Sequence, residues 1–402
     1  MSDATAGFKR LTRLDRARER LEERLVPTDR TTTRRLEAAD GRVLATAIDA
    51  RRDVPHYERA AMDGFAVRAR DTFGASERSP AVLDRDETTN PRAGTWVHTG
   101  SELPAGADAV VMVEQTEEVD GEIEVHEPVA EGANVAPVGE DVEAGTRLYE
   151  PGHRLRPSDL GLVKSVGIGE IETYDPPTVG VIPTGEELVQ HGPEAGETIE
   201  TNGLTVSRYV ERWGGEATYR DVVTDDRAAL RAAIERDLTK EIVVATGGSS
   251  VGERDLVPSI VDELGELLIH GVALEPGHPV GIGIVEETPV LALPGYPVAA
   301  IVTAVQLLRP ALKRIGRLSR HPQPTTEARL DAKLPSEPGT RTFARVELNE
   351  EGDDSIAVPV RTGGAGVLSS VALADGWVII PESSEGLPAG ETVAVEHWEQ
   401  LP

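Results

Sequence analysis

Between Glu241 and Asp255 the chain reads EIVVATGGSSVGERD, and the second half of that stretch concentrates groups that bind anions. Gly247 and Gly248 let backbone approach a ligand closely, Ser249 and Ser250 add hydroxyls, and Glu253 and Asp255 lead into an expected helix. Free N–H groups and a helix dipole aimed at one spot suit a phosphate or another oxyanion. The same stretch also fits GxSxG from Gly248 to Gly252, with Ser250 as a nucleophile. A hydrolase of that kind needs a later acid and then a histidine, and His270, His278, His321 and His397 follow. Against it, Thr246-Gly247-Gly248 makes the loop longer than a sharp elbow, and two large flanking regions would have no use. The serine hydrolase is therefore the remote alternative.

Four carboxylates sit on or beside turns: Asp63, Asp141, Glu187 and Asp255. Carboxylates near a phosphate cradle commonly hold Mg²⁺, which bridges protein to phosphate while keeping several waters. Each of them, taken singly, reads better as a solvated turn residue than as a ligand, and their joint use requires a convergence that spacing does not show. No GxxxxGK[ST], HExxH or Cys/His zinc spacing occurs.

These residues need elements to hold them. Ile242 to Ala245 is a short β-branched run suited to a strand buried on both faces. Beyond Pro176-Pro177 the rhythm is strand, turn, helix. Strands are expected at 178–182, 217–223, 242–245, 280–285 and 289–293, with helices at 202–213, 225–238 and 297–315. That alternation predicts a largely parallel sheet covered by helices, with ligands bound at the carboxyl ends of its strands. Thr184-Gly185-Glu186-Glu187, Thr246 to Asp255 and Pro294-Gly295-Tyr296 are the turns expected at those ends.

The flanks read differently. Residues 8–25 form an amphipathic helix, with Leu11, Leu14, Leu21 and Leu25 at near-helical spacing. Short strands and turns fill 51–141, with Asp63-Gly64 as a turn and a strand from Ala109 to Val113. Ser158 is the expected cap of a helix through Ser165, and that helix is expected to pair with the N-terminal one. The resulting organisation is multidomain. A discontinuous helical region (1–50 plus 142–175) carries an inserted β-rich domain (51–141), followed by a doubly wound α/β domain (176–320) and a small C-terminal β-barrel (321–402).

Composition narrows the function. Seventy acidic against 41 basic residues give a formal charge of -29, which argues against nucleic-acid binding. Only five lysines occur, and there is no cysteine, so disulfides and thiolate chemistry are excluded. Acid-rich, lysine-poor chains are expected where high salt screens self-repulsion, so a salt-adapted (halophilic) cytoplasm is the expected setting. No secretory leader and no membrane-length apolar span is read, so a soluble cytoplasmic protein is expected.

The segments PHYERAAMDGFAV (55–67), HTGSELPAGADAVV (98–111), GED (139–141), PTGEEL (183–188), TGGSSVGERD (246–255) and LPGYPVAA (293–300), in that order, resemble the MoeA/gephyrin E-domain family of molybdopterin molybdenumtransferases. The resemblance covers nearly the whole chain. It implies an elongated homodimer of four-domain subunits, with adenylyl-molybdopterin on the α/β domain and the site completed by the partner's β-rich domain. It implies transfer of molybdenum from molybdate to the pterin dithiolene, with release of AMP and help from Mg²⁺. It also implies an upstream molybdopterin adenylyltransferase as delivering partner.

Carried over motif by motif, the resemblance implies catalytic roles for Asp63, Thr99, Glu187 and Asp255, and metal positioning by Glu187, Asp255 and Asp141. Substrate binding would fall to Thr184, Gly185, Thr246, Gly247, Gly248, Ser249, Ser250, Pro294, Gly295, His278 and Arg345. Four departures stand out. Glu275-Pro-Gly-His278-Pro replaces a lysine-bearing KPGKP, Tyr296 stands where LPGNP has asparagine, and Ala365 and Ala136 replace a serine and an arginine. An anion in place of a cation costs oxyanion binding. Compensation by Arg254, a different anion or pterin form, or a divergent pterin-binding assembly protein with little turnover would each account for it.

Overall fold

A computed structural model describes residues 11–87, 90–247, 256–352, 354–360 and 365–400. The chain divides into two compact units, Thr33–Thr173 and the segments on either side of it.

The first helix, α1 (Leu14–Glu22), buries Leu14, Ala17 and Leu21 along one stripe and presents charges on the other. In the Thr33–Thr173 unit the main sheet contains β1 (Gly64–Val67), β2 (Ala81–Arg85), β3 (Ala93–Val97), β4 (Ala109–Met112), β5 (Thr116–Val119) and β6 (Glu122–Val125), in spatial order β4-β1-β3-β2-β6-β5. Phe65, Val67, Val111, Ile123 and Val125 form one core on it, and Ala66, Val97 and Val110 another. Alternate residues of β1 therefore feed opposite faces. Gly64 is required because a Cβ there would lie 1.9 Å from the Val111 carbonyl oxygen. The helix α2 (Pro157–Ser165) starts after Arg156. Its first turn is closed by Asp159, which accepts from the Arg156 N–H, and not by Ser158 as expected.

In the other unit the central sheet contains β7 (Thr178–Pro183), β8 (Glu216–Tyr219), β9 (Ile242–Thr246), β10 (Glu266–His270), β11 (Gly281–Val285) and β12 (Thr288–Leu293). Their order is β8-β7-β9-β12-β11-β10; the first four run parallel, and β11 reverses against both neighbours. Four helices cover it: α3 (Asn202–Arg212), α4 (Arg227–Asp237), α5 (Leu256–Leu264) and α6 (Pro297–Thr303). Val243 and Ala245 join Leu230 and Ile234 of α4 and Val257 and Ile260 of α5 in one core. Ile242 and Val244 point the other way and are equally buried, which is why the strand reads as an unbroken apolar run. Each such side chain contributes about 1.5–3 kcal/mol relative to exposure. The expected helix 297–315 is present with a π-helical stretch, Ala304–Leu308, between α6 and α7 (Arg309–Ile315).

Three expectations need correction. The strand β10 was not foreseen. The helix expected from 225 begins at Arg227 as α4, capped by Asp226, whose carboxylate accepts from Ala229 N at 2.9 Å. The partners of α1 are α7 and β10, and α2 packs on the 3-10 turn Leu36–Ala38, in place of a pairing between α1 and α2.

The main strands of the C-terminal region are β13 (Thr325–Leu330), β14 (Arg341–Glu351), β15 (Asp354–Pro359), β16 (Gly376–Ile380) and β17 (Thr392–Glu396). They are ordered β14-β15-β13-β17-β16, and β16 pairs again with β14, so the sheet closes into a small barrel. The two-residue strand Leu274–Glu275 from the α/β region adds to β14. No described helix is long and apolar enough to cross a membrane.

Candidate active site

Parallel pairing brings the ends of β7, β9 and β12 together. Thr184 N donates to the Thr246 carbonyl at 2.9 Å, and Gly247 N donates to the Leu293 carbonyl at 3.1 Å. Gly247 has φ +108°, and a Cβ there would lie 2.0 Å from the Thr184 carbonyl oxygen. Only glycine lets the two loops touch. Asn202, at the start of α3, donates its side-chain amide to the Gly295 carbonyl at 2.7 Å and ties the third loop in. A cavity of about 510 Å³ results, and Thr184, Gly185, Glu187, Gly247, Gly295 and Tyr296 border it. Thr246 and Pro294 are buried beneath these turns as supports.

The cavity is acidic. Glu187, Asp225 and Glu200 line it, and no basic side chain does among the described residues. Glu200 is committed elsewhere, accepting from Gly203 N at 2.6 Å at the start of α3 and from the Tyr219 hydroxyl. Burial and then that carboxylate push the Tyr219 pKa up. Asp225 Oδ1 accepts the Thr184 hydroxyl at 2.7 Å. Sequence reasoning reads Asn202 and Asp225 only as the first residues of helices and does not single out Glu200. A signal existed in the doublet Asp225-Asp226, since one carboxylate suffices to cap α4.

Gly248, Ser249, Ser250 and Asp255 lie outside the described residues, and with them the hydrolase elbow. His397, just after β17, lies 2.8 Å from the Thr326 hydroxyl and 2.9 Å from the Asp375 carbonyl oxygen.

Asp63, Thr99 and Asp141 belong to the Thr33–Thr173 unit. Asp63 is exposed, and its Oδ1 accepts both Thr99 N at 2.6 Å and Thr99 Oγ1 at 2.7 Å. These two bonds hold its carboxyl below the ordinary carboxylate range. Asp63 Oδ2 is 3.9 Å from His98 Nδ1, whose other nitrogen lies 3.3 Å from Trp96 Nε1. Asp141 is exposed on the turn after Gly139, its N–H bonded to the Val54 carbonyl. Ala136 pairs with Arg59 in a two-residue ladder.

His278 and Arg345 do not border the cavity. The 275–279 turn is recruited by the barrel through Leu274–Glu275, and Gly277 lies against Thr303 of α6. His278 Nδ1 is 3.4 Å from Glu275 Oε2. Arg345 is only 7% exposed, and its Nε finds no partner among the described residues. Burial lowers its pKa while the charge of Glu275 opposes that shift. Ala365 accepts from Val298 N at 3.1 Å, so its backbone meets the first turn of α6.

An α/β domain with a glycine-lined cavity at its strand ends, followed by a small barrel, defines a class of protein, and three family models tile the chain accordingly. They are the MoeA N-terminal region (domain I and II) over 12–167, a probable molybdopterin binding domain over 180–314, and the MoeA C-terminal region (domain IV) over 327–398. The chain belongs to the MoeA family. It is 37% identical over 368 residues to a molybdopterin biosynthesis protein of Methanocaldococcus jannaschii, covering 88% of this chain and 89% of that one. It is 31% identical over 400 residues to the molybdopterin molybdenumtransferase of Haemophilus influenzae, covering 96% and 99%. A crystal structure of the MoeA protein from Pyrococcus horikoshii superposes with a TM-score of 0.81 at 35% identity, covering 97% of this chain and 100% of that one.

Proposed function

We propose that the protein is a molybdopterin molybdenumtransferase, transferring molybdenum from molybdate to adenylyl-molybdopterin with release of AMP in molybdenum cofactor biosynthesis. The observation that carries this reading is the cavity at the ends of β7, β9 and β12. It is large enough for a nucleotide-bearing ligand and lined by backbone, hydroxyl and carboxylate groups.

The chemistry of those groups fits Mg²⁺. The donors are oxygen atoms throughout, as a hard cation prefers, and an acidic cavity repels a polyanion unless a cation intervenes. Thr246 Oγ1, buried and without a partner among the described residues, is further unused oxygen beside it. Glu187 and Asp225 would hold the ion, with Asp255 and Asp141 as the ligands the sequence adds. Bound there, Mg²⁺ would neutralise phosphate charge and polarise the phosphoryl group. Thr184 fixes Asp225, and the cradle glycines admit the substrate backbone-close.

We further propose a cytoplasmic homodimer from a salt-adapted organism, each site combining Asp63 and Thr99 of one subunit with Glu187 of the other. The four-domain division at 51, 141, 176 and 320 and delivery by an upstream adenylyltransferase belong to the same reading. The test is AMP release from adenylyl-molybdopterin at high salt. Release that depends on both Mg²⁺ and molybdate supports the proposal; binding without release would sink it.

That second outcome would favour a pterin-binding assembly protein. Glu275 beside the buried Arg345 supports this alternative, because it places an anion where an oxyanion would otherwise pair. If Glu275 and His278 weaken oxyanion binding, His278→Lys will tighten molybdate binding about tenfold; unchanged affinity contradicts that explanation.

A further inference from the structure

The chain holds only fourteen aromatic residues besides histidine, and six of the described ones are buried, whereas Tyr296 is 65% exposed and borders the cavity. Ile199, 45% exposed, borders the same cavity. Isolated exposed apolar groups are ordinary. Two of them in the wall of one cavity, among carboxylates, hydroxyls and glycines, describe a ligand that is both polar and flat-faced.

The backbone that carries the ring is fixed. Tyr296 is the N-cap of α6, followed by Pro297, and its carbonyl accepts from Ala300 N at 2.9 Å. Gly366 backs one edge, since a Cβ there would stand 3.4 Å from Cδ1 and 3.7 Å from Cε1 of the ring. Val298 N bonded to Ala365 fixes that backing segment. One side of the phenol thus leans on backbone while the rest remains open.

We infer that Tyr296 is a stacking platform for the fused nitrogen-heteroaromatic ring of the substrate, and so a specificity-determining residue of this chain. The inference rests on the transferase reading and goes beyond it. The family pattern has asparagine at this position, which hydrogen-bonds but offers no π-face, whereas tyrosine accepts any such ring face-on. Adenine and pterin share this chemistry, and the test separates them.

Binding of AMP, ribose 5-phosphate and pterin-6-carboxylic acid is measured calorimetrically in molar potassium chloride with Mg²⁺. Wild type is compared with Tyr296→Phe and Tyr296→Asn, and unchanged thermal unfolding is the control for folding. Stacking predicts that Tyr296→Asn weakens one ring-bearing probe about 5- to 100-fold. Tyr296→Phe should stay within about twofold and ribose 5-phosphate should not respond, because neither change touches the ring stack. Loss on AMP assigns adenine, and loss on the pterin probe assigns pterin. If wild type binds AMP and Tyr296→Asn binds both rings equally well, the inference is overturned while the transferase reading stands. If wild type binds neither ring, that reading fails and the inference goes with it.

Discussion

The cavity at the ends of β7, β9 and β12 and the corner around Asp63 arrange carboxylates in opposite ways. In the cavity, carboxylates gather in a concavity built by three parallel strands, and one of them, Glu200, is spent on holding α3. At the corner a single exposed carboxylate has one oxygen saturated by Thr99 and the other left toward His98. The first arrangement encloses a volume; the second orients one oxygen atom without enclosing anything. A carboxylate kept ionised on an open surface gains a use only when another surface brings substrate to it. In the proposed dimer the partner subunit would supply that other surface.

The largest effect that would break this contrast is in the cavity. Gly247→Ala forces a Cβ onto the Thr184 carbonyl at a positive φ, so a loss of about 3 kcal/mol or more in denaturant unfolding is expected, along with loss of AMP binding. A stable variant with intact binding would mean that the loops need no such contact. Next comes Asp63→Asn, which should lower turnover about 100-fold or more yet leave AMP affinity unchanged. Equal losses in both would erase the distinction between binding and positioning.

A smaller effect concerns Asp159, buried in the Thr33–Thr173 unit with Arg156 Nη2 at 2.8 Å, His153 Nε2 at 2.7 Å and the Tyr149 hydroxyl at 3.1 Å. Asp159→Asn should cost about 2 kcal/mol. The Arg156 guanidinium first, then His153, hold its pKa well below the usual range. A depressed folded pKa adds stability that is present above the unfolded value of about 3.9 and lost as pH falls toward the folded one. Wild type should therefore lose more stability than the variant on acidification below about pH 4; parallel acid curves would contradict this.

The smallest is Thr99→Val, which removes the hydroxyl bond to Asp63 but keeps the N–H bond. The Asp63 pKa should rise toward the ordinary carboxylate value without reaching it, as carboxyl carbon NMR titration would show. No movement would mean that the backbone bond alone sets it.

Much of this was legible in the sequence because burial on both faces leaves unbroken apolar runs: Ile242 to Ala245 and Pro289 to Leu293 announce central strands whatever surrounds them. The turn after the first carries Gly247, whose need is steric, so that part of the cavity's floor could be anticipated. Other features depend on distant residues. Nothing local marks Asp225 as the partner of Thr184, 41 positions away, or Thr99 as the donor to Asp63. The strand β10 follows α5 with Gly265 alone between them, so its apolar residues continue the apolar pattern of the helix. The 275–279 turn looked like part of the cavity until Leu274–Glu275 was seen to serve the barrel.

The central claim, that the two regions act together from different subunits, is tested most directly by mixing inactive variants. Asp63→Asn and Glu187→Gln proteins, unfolded and refolded together in equal amounts, would yield mixed dimers with one intact site in each. Molybdate-dependent AMP release should then recover to about a quarter of the wild-type rate. No recovery, with mixed dimers demonstrated by mass, would place Asp63 and Glu187 in the same subunit's site or in none.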